Sequence, residues 1–128
     1  MNGLDRFDRE PHTHGRGRAA EEDGVAWLEG QGYRVLDRNV ATRAGEIDAV
    51  ALDNGTLCFV EIKARSSDRY GPAIGAVTRQ QQTRLGRAAA LYLVGKPWEG
   101  PCRFDVLGLD PSPEGWRYTL VRDAFELA

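Results

Sequence analysis

Cysteine is scarce: Cys58 and Cys102 stand alone in apolar segments, with no C-x-x-C pair and no histidine at ligand spacing. That excludes a zinc finger or a disulfide framework and reads both residues as small buried thiols. No apolar run approaches the roughly 18 residues that a membrane-spanning helix needs, and the start, MNGLDRFDREPHTHGRGR, has no hydrophobic signal region. A cytoplasmic protein without membrane association is the expectation. Internal repeats and low-complexity tracts are missing as well, which argues against solenoids and linkers. The excess charge is small, −2 over 128 residues, too little for a protein that coats nucleic acid by bulk electrostatics.

The even balance hides a gradient. Residues 1–60 carry 7 Lys/Arg against 11 Asp/Glu, residues 61–90 carry 6 against 2, and residues 98–128 carry 3 against 6. A basic surface over the central segment is therefore compatible with an acidic whole. The length suits one domain, expected over residues 16–128. Residues 1–15, polar and aperiodic, read as a flexible lead in which His12 and His14 belong to a solvated tail.

Helical periodicity runs from about Arg18 to the Gly-Gln-Gly at 30–32, with Glu21, Gly24, Val25 and Leu28 on one stripe. Strand patterns follow in YRVLDRNV, EIDAVAL and TLCFVEIKAR, joined by ATRAG and DNG turns. A second helix is expected over about Ala73–Val94, with Val77, Gln81, Leu85, Ala88 and Tyr92 inward and Arg79, Thr83 and Arg87 outward. CRFDVLGLD reads as a further strand and WRYTLVRDAFEL as a last strand with a short terminal helix. The order α-β-β-β-α-β-β predicts an α/β protein with a mixed β-sheet flanked by helices.

Four charges interrupt the most apolar strands. Alternate strand residues share a face about 6.7 Å apart, so Glu61 and Lys63 point together, and the hairpin brings Asp48 beside Glu61. The helix adds Glu21. Two carboxylates about 4 Å apart repel by roughly 4 kcal/mol at an effective dielectric of 20, so such a cluster needs a cation or a shared proton. All-oxygen donors point to Mg²⁺ or Mn²⁺ held by Asp48, Glu61 and Glu21, with Lys63 placed to orient water or offset charge on a phosphate. Glu46 is assigned to the rim or to a pairing role. Taken alone, an E-x-K on a strand is also a common cross-strand ion pair.

Beyond these carboxylates, Arg65, Arg69, Arg79, Arg84 and Arg87 are candidates for phosphate contacts that position nucleic acid without reading its sequence. Arg103 and Asp105 read as a structural ion pair. Trp27, Tyr92, Trp116 and Phe125 read as core or surface-anchoring aromatics.

Glu21, RN at 38–39, GEID at 45–48, FVEIKAR at 59–65, RFDV at 103–106 and DAF at 123–125 together resemble the YraN-like bacterial family of predicted endonucleases. That family is similar to archaeal Holliday junction resolvases within the PD-(D/E)xK nuclease superfamily, and the match covers about residues 17–126. The resemblance implies a restriction-endonuclease-like core with Asp48, Glu61 and Lys63 at the D…E-x-K positions and Glu21 at the helical acid position. It also implies a metal-dependent endonuclease for DNA, branched or otherwise structured substrates included, and raises a homodimer, because a junction presents two symmetric strands. Relatives typically carry Lys where this chain has Gln81, a neutral amide that binds a phosphate or water without adding charge, and Arg84 stands one turn away to compensate. Ala20 replaces the usual Gly before the helical Glu. A non-cleaving nucleic-acid-binding module and a protein-interaction subunit remain the alternatives.

Overall fold

A computed structural model describes residues 11–67 and 69–126, without the side chains of residues 11–16. Residues 1–10 of the expected lead, and the side chains of His12 and His14, lie outside the described residues. The elements are α1 (Pro11–Gly30), β1 (Arg34–Thr42), β2 (Gly45–Asp53), β3 (Thr56–Ala64), a 3-10 turn (Ala73–Ala76), α2 (Arg79–Gly95), β4 (Cys102–Ser112) and β5 (Gly115–Phe125). One five-stranded sheet runs β1-β2-β3-β4-β5. Only β3 and β4 pair in parallel, and α2 makes the crossover between them. This is the expected mixed α/β sheet in the order α-β-β-β-α-β-β, consistent with a restriction-endonuclease-like fold.

Local chemistry sets the boundaries. Helix α1 already includes Pro11, the first described residue, and so extends further toward the N-terminus than Arg18. It ends in a Schellman motif: the Gly32 N–H donates to the Glu29 carbonyl and the Tyr33 N–H to the Leu28 carbonyl, with Gly32 at φ +99°. Asn54 and Gly55, at φ +50° and +84°, make the two-residue turn that right-twisted hairpin strands favour.

The sheet buries both faces. Val25 and Leu28 of α1 meet Ala49, Val60 and Leu107 on one side, while Leu85, Ala88 and Ala89 of α2 meet Ile47, Val50, Leu57 and Phe59 on the other. Gly24 lets α1 lie close, since a Cβ there would sit 3.1–3.3 Å from Ile62 and Leu107.

Three expectations need correction. The second helix is not continuous from Ala73: the chain makes the 3-10 turn, straightens at Val77, and starts α2 after Thr78, whose hydroxyl accepts from the Gln81 N–H while the Gln81 side chain accepts from the Thr78 N–H. This capping box satisfies donors that a continuous helix would have handled internally. Among the described residues the last segment stays a strand to Phe125, which pairs with Phe104 and stacks on it at 5.0 Å, so no terminal helix follows there. Cys58 is buried as expected, but Cys102 opens β4 and is exposed.

The 3-10 turn lies across β4 beside the strand that carries Lys63, because the buried Asp110 carboxylate accepts from the Ala73 N–H at 2.9 Å. Gly108, the cross-strand partner of Lys63, provides the room: a Cβ there would sit 2.7 Å from Ile74 Cγ2 and 3.1 Å from the Ile74 nitrogen. Gly108→Ala is therefore expected to cost about 1–3 kcal/mol in urea unfolding, and a cost near zero would show that the turn is not seated on this strand.

Candidate metal centre

The β2–β3 ladder runs from Asp53↔Thr56 to Ala49↔Val60 and stops there. Beyond that point Asp48 puts its own carboxylate where a ladder bond would lie: Oδ2 accepts from the Ile62 N–H at 2.7 Å. The two strands thus part at the acid, and Glu61 stands on the next residue of β3. Alternation on β3 keeps Glu61 and Lys63 on the face of Leu57 and Phe59, toward α2.

Into this fork α1 brings Glu21 and the start of β2 brings Glu46. One carboxylate oxygen from each of Glu21, Glu46 and Asp48 lies within 4.8 Å of the others. Two ligands held about 2.1 Å from a single ion are separated by at most about 4.2 Å, so small side-chain movements complete a site for a hard cation. Glu46, assigned to the rim from sequence, belongs to this closest group. Glu61 stands beside it: Glu46, Asp48, Glu61, Gly45, Gln81, Arg84 and Leu85 line one pocket of about 230 Å³.

The electrostatics are those of acids without enough cations. Burial first, and then the charge of Glu61, push the Asp48 carboxyl up to about 8, against the Ile62 hydrogen bond that favours its ionised form. Burial also raises Glu61, with Glu21 and Glu46 adding to it and Lys63 and Arg84 opposing. Glu21 is raised by burial and by Glu46, while a hydrogen bond with Asp48 and the charges of Arg18 and Arg38 hold it back. Near neutrality a proton therefore does part of what a divalent cation would do. The donor set contains oxygen alone, which fits Mg²⁺ or Mn²⁺ better than zinc or copper.

The basic candidates separate. Arg84 sits at the pocket with its stem laid on Gly45: a Cβ on that residue, at φ +144°, would be 2.9 Å from Arg84 Cδ. Gln81 also reaches the pocket, but its side-chain oxygen is engaged by the helix cap. The signal T-x-x-Q at 78–81 was legible and gives the amide a structural duty beside any contact with substrate. Arg69 is exposed in the loop after β3, 5.7 Å from the Tyr70 ring centroid. Arg65, just past the end of β3, lines a different cavity with α1 and Trp116. Arg103 and Asp105 form the expected structural pair, 2.9 Å apart.

Residues 20–109 match the model of an uncharacterised protein family, UPF0102. A UPF0102 protein of Symbiobacterium thermophilum is 47% identical over 111 residues, which cover 85% of this chain and 94% of that protein. Another from Syntrophus aciditrophicus is 43% identical over 88% of this chain and 89% of its own length. A third, from Halorhodospira halophila, is 46% identical with 86% of each chain covered.

Proposed function

The chain belongs to the UPF0102 family, whose description names no activity, and from its acid pocket we propose that it is a Mg²⁺- or Mn²⁺-dependent endonuclease acting on DNA phosphodiesters. The observation that carries this reading is the fork between β2 and β3, where Asp48 gives up regular strand pairing to stand with Glu21, Glu46 and Glu61. A purely structural ion-pair network would match these acids with cations of its own. Here burial first, and then neighbouring acids, raise the carboxyls, which supports a site that takes up positive charge.

Asp48, Glu21 and Glu46 would hold the ion, with Glu61 beside them. When bound, a divalent ion offsets charge on a phosphate oxygen and lowers the pKa of coordinated water. The rigid strands fix the carboxylates so that little reorganisation is needed. Lys63, two residues beyond Glu61 on the same face, orients water or offsets charge on the phosphate. Arg84, braced on Gly45, supplies the cation that Gln81 lacks and meets a neighbouring phosphate. Binding of this kind tracks the phosphate backbone and weakens with salt. No described helix is long and apolar enough to cross a membrane.

Linear, flap and four-way DNAs incubated with Mg²⁺ or Mn²⁺ test the proposal, wild type beside Glu61→Ala. Cleavage by the wild type is expected to fall at least a hundredfold in the variant, by analogy with the loss of a single charge-stabilising group elsewhere. Gln81 favours a second reading, a nucleic-acid-binding protein that no longer cuts. Salt-sensitive binding without cleavage under either metal would select it, and absence of both binding and cleavage would reject the two together.

A further inference from the structure

The cavity that Arg65 lines is larger than the acid pocket and has no part in holding the metal. It encloses about 610 Å³ between α1, the end of β3 and the β4–β5 hairpin. Small residues make the room, Gly17 and Ala20 on α1 and Gly115 on the hairpin, and the volume is that of a small-molecule site. Trp116 forms the aromatic part of the wall. Its indole N–H donates to the Asp23 carboxylate at 3.0 Å, which fixes the ring and occupies the one acid among the lining residues.

Arg65 is the cation of this cavity, and its Nε is buried with no acceptor among the described residues. A buried donor left unpaired is costly, so this one calls for an acceptor from outside the described chain. A guanidinium wants a phosphate or carboxylate, and the indole wants a flat ring. A nucleotide carries both a phosphate and a ring. Arg65 also stands at the same end of β3 as Glu61, four residues further along the chain.

We propose that this cavity receives an unpaired nucleotide of the DNA strand, with its base on Trp116 and its phosphate on Arg65. The inference rests on the nuclease reading and deepens it: the substrate presents a base free of its partner a short distance from the cut. A paired base is stacked on both sides and cannot enter, so the cavity favours single-stranded, frayed or junction DNA over continuous duplex.

The test uses the full ¹⁵N-labelled chain without metal, so that binding here is read separately from metal binding and cleavage. The Trp116 indole N–H and the Arg65 Nε–H resonances are followed while thymidine monophosphate, a short oligothymidylate or a continuous duplex is added. Both signals are expected to shift saturably with the single strand and more weakly with the monophosphate, and duplex is expected to bind at least tenfold more weakly. Arg65→Gln should weaken single-strand binding at least tenfold. Arg34→Gln, which removes an exposed cation at the start of β1, should change it little.

Three results would overturn the proposal: signals unmoved by the single strand, as when chain residues already occupy the cavity; equal shifts with duplex; or binding of the monophosphate alone. If Mn²⁺ still broadens the signals of Glu21 and Asp48 under any of these, only this inference fails.

Discussion

Asp48→Asn is expected to make the metal-free protein more stable, by a margin that grows with pH, while removing its response to Mg²⁺. Asparagine keeps the size of the side chain and an oxygen for the Ile62 N–H, but carries no charge. In the folded wild type burial and Glu61 push the Asp48 carboxyl up to about 8, from an ordinary value of 3.8 that the unfolded chain retains. Between those values the folded state holds a proton that the unfolded state has released, so stability declines as pH rises from about 4 to about 8. Above that window the folded chain bears the full cost of a buried, crowded charge.

Each tenfold difference in proton affinity between folded and unfolded chains corresponds to about 1.4 kcal/mol, and with a discount for sharing among the acids the cost is on the order of 3 kcal/mol. Glu61 and Glu21 are raised too and act in the same sense. Thermal melts in a chelator should therefore show variant and wild type nearly level at pH 4 and separated by about 3 kcal/mol at pH 9. Excess Mg²⁺ should close the gap by stabilising the wild type alone, by about 2.7 kcal/mol at a hundredfold excess over its dissociation constant. Equal stability across the pH range, or Mg²⁺ stabilising both proteins alike, would show that Asp48 is not a strained ligand.

That strain was legible in the sequence only in outline. The charges inside EIDAV and FVEIK stood out because a period of two places them on defined faces, and the DNG turn fixed the register that brings Asp48 to Glu61. The same period puts Glu46 on the face of Asp48, so its place in the cluster was open to the sequence although the residue was assigned to the rim. The ladder ends at Ala49↔Val60, the acid itself takes up the Ile62 N–H, and the start of β2 carries Glu46 to the cluster. Arg65 was singled out as a phosphate contact, but the cavity it lines with α1 and Trp116 brings together residues far apart in the chain and left no mark in the strand pattern. The break before α2 was written at Thr78 and Gln81, but the apolar period from Val77 to Tyr92 runs through it unbroken and hides it.

The RFD segment teaches the converse lesson, and Asp105→Ala is the change expected to cost the most stability. Asp105 is fully buried and accepts from three donors: the Tyr33 hydroxyl at 2.7 Å, Arg103 Nε at 2.9 Å and the Asp123 N–H at 2.9 Å. These partners come from the connection between α1 and β1, from β4 and from β5, so one carboxylate ties three parts of the fold. Asp123 adopts φ +54° in the stretch of β5 where the β4–β5 register shifts, and its bond to Asp105 holds that irregular turn in place so that Phe125 can stack on Phe104. Removing the carboxylate strands a phenol and a backbone donor and leaves Arg103 with Asp53 as its remaining acid partner. Loss of one member of such a buried pair costs about 3–5 kcal/mol.

Asp105→Asn, which keeps the shape and one acceptor, should lose about 1–3 kcal/mol. Because Asp105 lies outside the acid pocket, folded molecules of either variant should bind Mn²⁺ as the wild type does. Urea unfolding beside Mn²⁺ titration separates the two roles. A loss of metal affinity with unchanged stability would make Asp105 part of the site rather than its support.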